Sequence, residues 1–209
     1  MFRFKLVMIS IGTVAVLSLP LVAAPTCLQA CGKGSAIPGD REPTDETIKA
    51  LFHDRMCAFK ELRDLFSDEK TIDYVTASAV GSYDLPVFRF TKGSWIHEGS
   101  VVSFESVSHA LSLSLERWQH YQELLRKTKV KEIANRGDLS RDQVVFILWD
   151  NSNYPFGSTQ EKSIVYSDRE PNGVFVTSID AYRKKSRSLN QLQLNARLSR
   201  NWFIRFVQY

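Results

Sequence analysis

The chain has 209 residues, with 27 basic and 23 acidic side chains, a formal net charge of +4 and 11% aromatic residues. That length suits one domain with a real hydrophobic core, and the modest Gly and Pro content with abundant aromatics excludes a disordered or fibrous chain. A near-balanced charge provides no electrostatic footprint for nucleic acid.

Arg3 and Lys5 precede an apolar run from Leu6 to Leu19, which Pro20 closes. A basic start, an apolar core of this length and a small residue, Ala30, ahead of the cut describe a removable export signal. The run is short for a helix that crosses a membrane in ~20 residues. A plain secreted chain and an uncleaved anchor are the two alternatives.

Leu28-Gln29-Ala30-Cys31 resembles the lipobox of bacterial lipoproteins. The resemblance implies cleavage after Ala30, a diacylglycerol joined to Cys31 by a thioether and, commonly, a third acyl chain on its amine. Gly32 stands where an Asp commonly retains lipoproteins in the inner membrane. In a host with two membranes this implies the outer membrane, periplasmic face. The division that follows is signal peptide 1–30, lipidated Cys31 with a flexible tether 31–43, and a single domain 44–209. Losing the first 30 residues removes Arg3 and Lys5, which leaves 179 residues and a net charge of +2. Of the three cysteines, Cys27, Cys31 and Cys57, that processing leaves Cys57 without a partner. In an unlipidated form a bridge from Cys57 to Cys27 or Cys31 is open. A reactive Cys57, with His53 one helical turn before it, has weak support.

Residues 32–43 are rich in Gly, Pro and charge and read as a tether. Thr44 is a plausible N-cap for a helix from Asp45 to about Phe66, with Asp45 and Glu46 suiting the helix dipole. Ile48, Phe52, Phe59, Leu62 and Phe66 form its apolar stripe, edged by Leu51 and Met56. Cys57 falls opposite the stripe, and His53 and Asp54 lie off it. Strand patterns follow at 71–79, 86–91 and 95–104. Leu111, Leu113 and Leu115 alternate, then a helix capped by Ser112 or Ser114 carries Leu115, Trp118, Tyr121, Leu124 and Leu125 inward. Gln143 to Trp149 reads as a central strand covered on both faces, 151–161 as a loop, and Lys162 to Ser167 as a short strand. A short helix is expected over 178–187, capped by Ser178. Leu189 to Leu198 and Trp202 to Tyr209 read as a closing hairpin, with Tyr209 inside the last strand. The fold class expected is α+β, an antiparallel sheet with helices packed on one side.

The chemistry-bearing residues form no signature. His53, His97, His109 and His120 show no metal-ligand spacing, no Gly-x-Ser-x-Gly elbow is present, and Gly is too sparse for a phosphate loop. No catalytic residue, metal or cofactor is expected. Asp150, Asp168 and Glu170 sit at strand ends, where turns also need acids. Loop 149–158 mixes aromatics and amides, so Tyr154, Phe156 and Ser158 are candidate binding residues. Two basic clusters, Arg126/Lys127/Lys129/Lys131 and Arg183/Lys184/Lys185/Arg187, suit solvated helix ends; Arg183, Lys184 and Lys185 are also candidate contacts to an anionic lipid, polymer or protein.

Glu116-Arg117-Trp118, Tyr121, Leu124-Leu125, Lys127, Phe156-Gly157-Ser158 and Ser178-Ile179-Asp180 resemble an uncharacterised group of proteobacterial lipoproteins, and the likeness implies no mechanism. The function expected is therefore a cell-envelope lipoprotein acting as a non-enzymatic binding module, its partners the membrane through the lipid anchor and a toxin or envelope complex. The alternatives are a periplasmic immunity protein against a secreted toxin and an envelope hydrolase acting on cell wall or lipid.

Overall fold

The computed structural model describes residues 41–84, 86–135, 143–151, 159–186 and 192–209. All of them fall in one compact unit.

Helix α1 runs Asp45–Ser67, and Thr44 caps it by accepting from the Thr47 amide. Its stripe is buried as the spacing predicts, with Leu51 fully inside rather than at the edge. Arg55 is non-helical within it, at φ −127° and ψ 21°, and its guanidinium donates to the Lys127 carbonyl.

Five strands joined by four antiparallel ladders follow where the sequence suggests three strands. The 71–79 run is interrupted: β1 is Tyr74–Thr76 and β2 is Ala79–Gly81, paired as a hairpin. β3 spans Phe88–Thr91. The 95–104 run is β4 Ser94–His97, β5 Ser100–Val102 and the start of a helix, α2 Phe104–Leu111, that the alternation of Leu111, Leu113 and Leu115 concealed. The turn at Glu98-Gly99 divides the 95–104 run, and one at Lys92-Gly93 joins β3 to β4 between two runs that the sequence already separates. Lys92 and Gly93 have φ of 48° and 80°, and Glu98 and Gly99 have 49° and 79°. Positive φ at both central residues is the two-residue hairpin geometry whose twist matches the strands.

Ser114, not Ser112, caps α3 (Leu115–Thr128), while Ser112 ends α2 in the left-handed region. Trp118, Tyr121, Leu124 and Leu125 are buried; Leu115, expected inside, is 49% exposed. Then come β6 Glu132–Asn135, β7 Gln143–Asn151, β8 Gln160–Ser167, β9 Val174–Phe175, α4 Ile179–Lys185, β10 Leu192–Ser199 and β11 Trp202–Gln208. The expected 151–161 loop is shorter, since β7 keeps Asn151 and β8 begins at Gln160. The last strand ends at Gln208; Tyr209 lies beyond it and is held by its amide on the Thr159 carbonyl at 3.0 Å.

Among the described residues the strands form one sheet in the order β5-β4-β3-β2-β1-β6-β7-β8-β11-β10-β9. Every pairing is antiparallel except β9 with β10. The register aligns Phe88, Val80, Val75, Ile133, Phe146, Ile164, Ile204 and Ala196 directly across eight neighbouring strands. All eight belong to one core cluster to which all four helices also contribute. Phe59 of α1 meets Phe146 edge-on at 5.6 Å, and Phe52 meets Trp202 at 5.0 Å. The α+β class, with helices on one face of the sheet, is as the sequence indicates.

The turn at Lys92 carries a side chain that tolerates positive φ poorly, whereas Asn adopts it readily. We expect Lys92→Asn to stabilise the domain by about 0.5 kcal/mol and Gly93→Ala to destabilise it by about 1 kcal/mol, both read from urea unfolding midpoints at constant slope.

Candidate functional site

Lys162 lies within the strand Gln160–Ser167, and alternation with Ile164 and Tyr166 directs its side chain to the helix-covered face, beside Phe206 of β11. It is fully buried. An ammonium there requires counter-charges, and three carboxylates supply them: Asp180 at 2.6 Å, Asp45 at 3.0 Å and Glu42 at 3.5 Å. Glu42 also binds Arg183, whose guanidinium lies 3.8 Å from the centre of the Phe206 ring.

Two helices begin at this cluster, and each start is held by an acid of the other. Asp45 Oδ2 accepts from the Ser178 hydroxyl at 2.8 Å, the Ile179 amide at 2.7 Å and the Asp180 amide at 3.2 Å. Asp180 Oδ2 accepts from the Asp45 amide at 2.7 Å. Free donors at a helix N-terminus favour negative charge, so Lys162 and the two helix starts act on the same carboxylates. Burial opposes ionisation of Asp45; the Lys162 ammonium and hydrogen bond, the Ser178 hydroxyl and the Asp180 amide outweigh it and hold the carboxyl below its ordinary range.

A second cluster ties α1 to α3. Arg117 donates to Glu69 at 2.6 Å and to the Leu65 carbonyl at 2.9 Å, and the Tyr121 hydroxyl donates to the same carbonyl at 3.1 Å. Burial raises the Tyr121 phenol far above its usual range. On the face of the sheet opposite Lys162, Glu161 and Arg205 form a buried bridge at 3.0 Å.

The structure separates the three basic candidates. Arg183 is drawn into the cluster by Glu42 and Phe206, which corrects its assignment as an exposed contact; Lys184 and Lys185 are exposed. Of the other basic cluster, Lys127 binds Glu123 at 2.6 Å and Lys131 binds Asp150 at 3.1 Å. His97 contacts the Val87 carbonyl at 3.1 Å and His120 contacts Glu61 at 2.9 Å. Asp168 accepts from Tyr166 and Asn201, and Glu170 binds Arg197. A shallow cleft lined by Ala77, Gln122, Glu123, Leu125, Arg126 and Val130 lies along α3. Cys31, Tyr154, Phe156 and Ser158 fall outside the described residues. Cys57, half-buried on α1, is disulfide-bonded, which is the alternative that the sequence leaves open to an unpaired thiol. Among the described residues no group of His, Cys, Asp and Glu is arranged to hold a metal ion.

The sequence does not disclose the Lys162 cluster. Lys162 reads as the polar first residue of a strand and Asp45 as an ordinary first-turn acid. Their convergence is set by contacts between residues up to 135 positions apart.

No known protein family, curated protein or solved structure matches this chain.

Removing one partner of a buried ion cluster leaves uncompensated charge at a cost of ~3–5 kcal/mol. We expect Lys162→Met to destabilise the domain by about that amount in urea unfolding. Because the folded-state pKa of Asp45 is depressed, its contribution is fully present above the unfolded value near ~4 and is lost as pH falls through the lower folded value. Asp45→Asn should therefore be less stable than the parent at neutral pH, and the gap should close in that acid window. A gap independent of pH would show that the carboxylate's charge is not what stabilises the fold.

Proposed function

We propose that the chain is a cell-envelope lipoprotein, anchored through Cys31, whose domain is a non-enzymatic binding module. The observation that carries this reading is the segment Leu28-Gln29-Ala30-Cys31 behind an export-type apolar run, ending ten residues before Arg41, where the described domain begins. The root of the domain supports it. Glu42 and Asp45, the first two acids of the described domain, are locked on buried Lys162. A domain held by a lipid through a short tether works with a firmly fixed first residue, because slack there would fray α1.

The ionisable groups also fit a binding role. The buried Lys162 and Asp45 and the half-buried Asp180 are consumed in joining two helix starts. The strand-end acid Asp150 meets Lys131, and Asp168 meets Tyr166 and Asn201. These contacts order the fold. Partners of such a module are the membrane, through the acyl chains, and an envelope or toxin protein on the domain surface. The outer membrane, periplasmic face, is the location the reading implies in a host with two membranes.

The disulfide at Cys57 has Cys27 and Cys31 as its two possible partners within the chain and so belongs to the unprocessed chain, because cleavage after Ala30 removes Cys27 and the one sulfur of Cys31 forms either a thioether or a disulfide. Each acyl CH₂ buried contributes ~0.8 kcal/mol, so two or three chains anchor stably. We expect Cys31→Ala to abolish labelling by a palmitate analogue and to accumulate full-length precursor. Equal labelling of the variant and the parent would overturn the reading.

A further inference from the structure

We propose that the end of the domain carrying α4 is a docking surface for an anionic membrane, with Lys184, Lys185, Arg41 and Tyr182 as its contacts. The inference rests on the lipoprotein reading and adds an orientation to it.

Placement comes first. The ten residue steps from Cys31 to Arg41 can span at most ~35 Å. The lipid surface is therefore close to wherever the chain enters the domain. That place is fixed: Glu42 binds both Lys162 and Arg183, and the Asp45 amide binds Asp180. The root of the tether and α4 are thus one unit, and α4 lies close to the point at which the lipid anchor holds the domain.

Charge comes second. Arg183 and Asp180 are spent on Glu42 and Lys162, and Glu46 is matched by Lys49 at 3.8 Å. Arg41, Lys184 and Lys185 are exposed, and none of them forms an ion pair among the described residues. The local surface is therefore net positive although the domain as a whole is near balance. Tyr182 is 37% exposed on the same helix, a residue type that favours the headgroup level. Each lysine or arginine near an anionic leaflet strengthens attraction about fivefold, so Lys184 and Lys185 together contribute on the order of 30-fold in surface occupancy.

The test uses the full processed protein, purified with its acyl chains and reconstituted into vesicles of phosphatidylcholine alone or mixed with phosphatidylglycerol. Intact mass establishes the acyl chains in each preparation. Hydrogen exchange is then followed over 179–185. We expect exchange there to slow about tenfold on the mixed vesicles relative to phosphatidylcholine, and the slowing to disappear in high salt and in Lys184→Gln/Lys185→Gln. Acylated protein with identical exchange on both vesicles overturns the docking surface while leaving the lipoprotein reading intact. Protection equal on both vesicles overturns its anionic character. Slowing only when an acidic envelope protein is added assigns the lysines to that partner instead and overturns the proposal. Absence of acyl chains removes the lipoprotein reading and the orientation with it.

Discussion

A buried ammonium sets the terms for one end of this protein. Lys162 is removed from water on a strand whose neighbours are apolar, and an isolated charge there would be untenable. Its neutralisation draws in Glu42 ahead of α1, the first turn of α1 and the first turn of α4. Each carboxylate does two things at once. It meets the ammonium and it closes donors at a helix start, so the cost of desolvating the lysine is offset partly by caps that both helices need in any case. The geometry is reciprocal, which makes the two helix starts a single unit.

The rest of the domain is built from ordinary apolar contacts. One row of side chains runs through eight strands, and α1 and α3 lie on it through Phe59, Phe52 and Tyr121. That core specifies the sheet and the face on which the helices pack. It does not say how the chain enters or where α4 lies, and the Lys162 cluster supplies both. For a domain read as lipid-anchored, this has a functional consequence. On the proposed lipid-anchored reading, ion pairs shielded from salt fix how α4 lies relative to the point where the chain enters the domain.

Much of the architecture was legible from pattern alone. The apolar stripe of α1, the caps Thr44, Ser114 and Ser178, the continuous run of β7 and the hairpin around 199–201 all follow from spacing and local chemistry. The failures have a common origin. Glu98-Gly99 makes a tight turn in which the first residue is not one that favours positive φ, so the 95–104 run reads as one longer strand. Helix α2 begins directly after a strand and ends at a left-handed Ser112, and its short apolar face was mistaken for alternation. The Lys162 cluster was invisible because no spacing links positions 42, 45, 162 and 180; only the folded topology does. Arg183 shows the same limit, since its neighbours Lys184 and Lys185 look identical to it in sequence and only α4 packing against Phe206 tells them apart.

The most direct measurement is a double-mutant cycle on Asp45→Asn and Lys162→Met, taken from urea unfolding at neutral pH. If the buried ammonium and the helix-start carboxylate act as one unit, the double variant is less damaged than the sum of the singles, with a coupling on the order of 2 kcal/mol. Additivity within about 0.5 kcal/mol would show that the two residues contribute independently, and the claim that Lys162 fixes the root of the domain would fall.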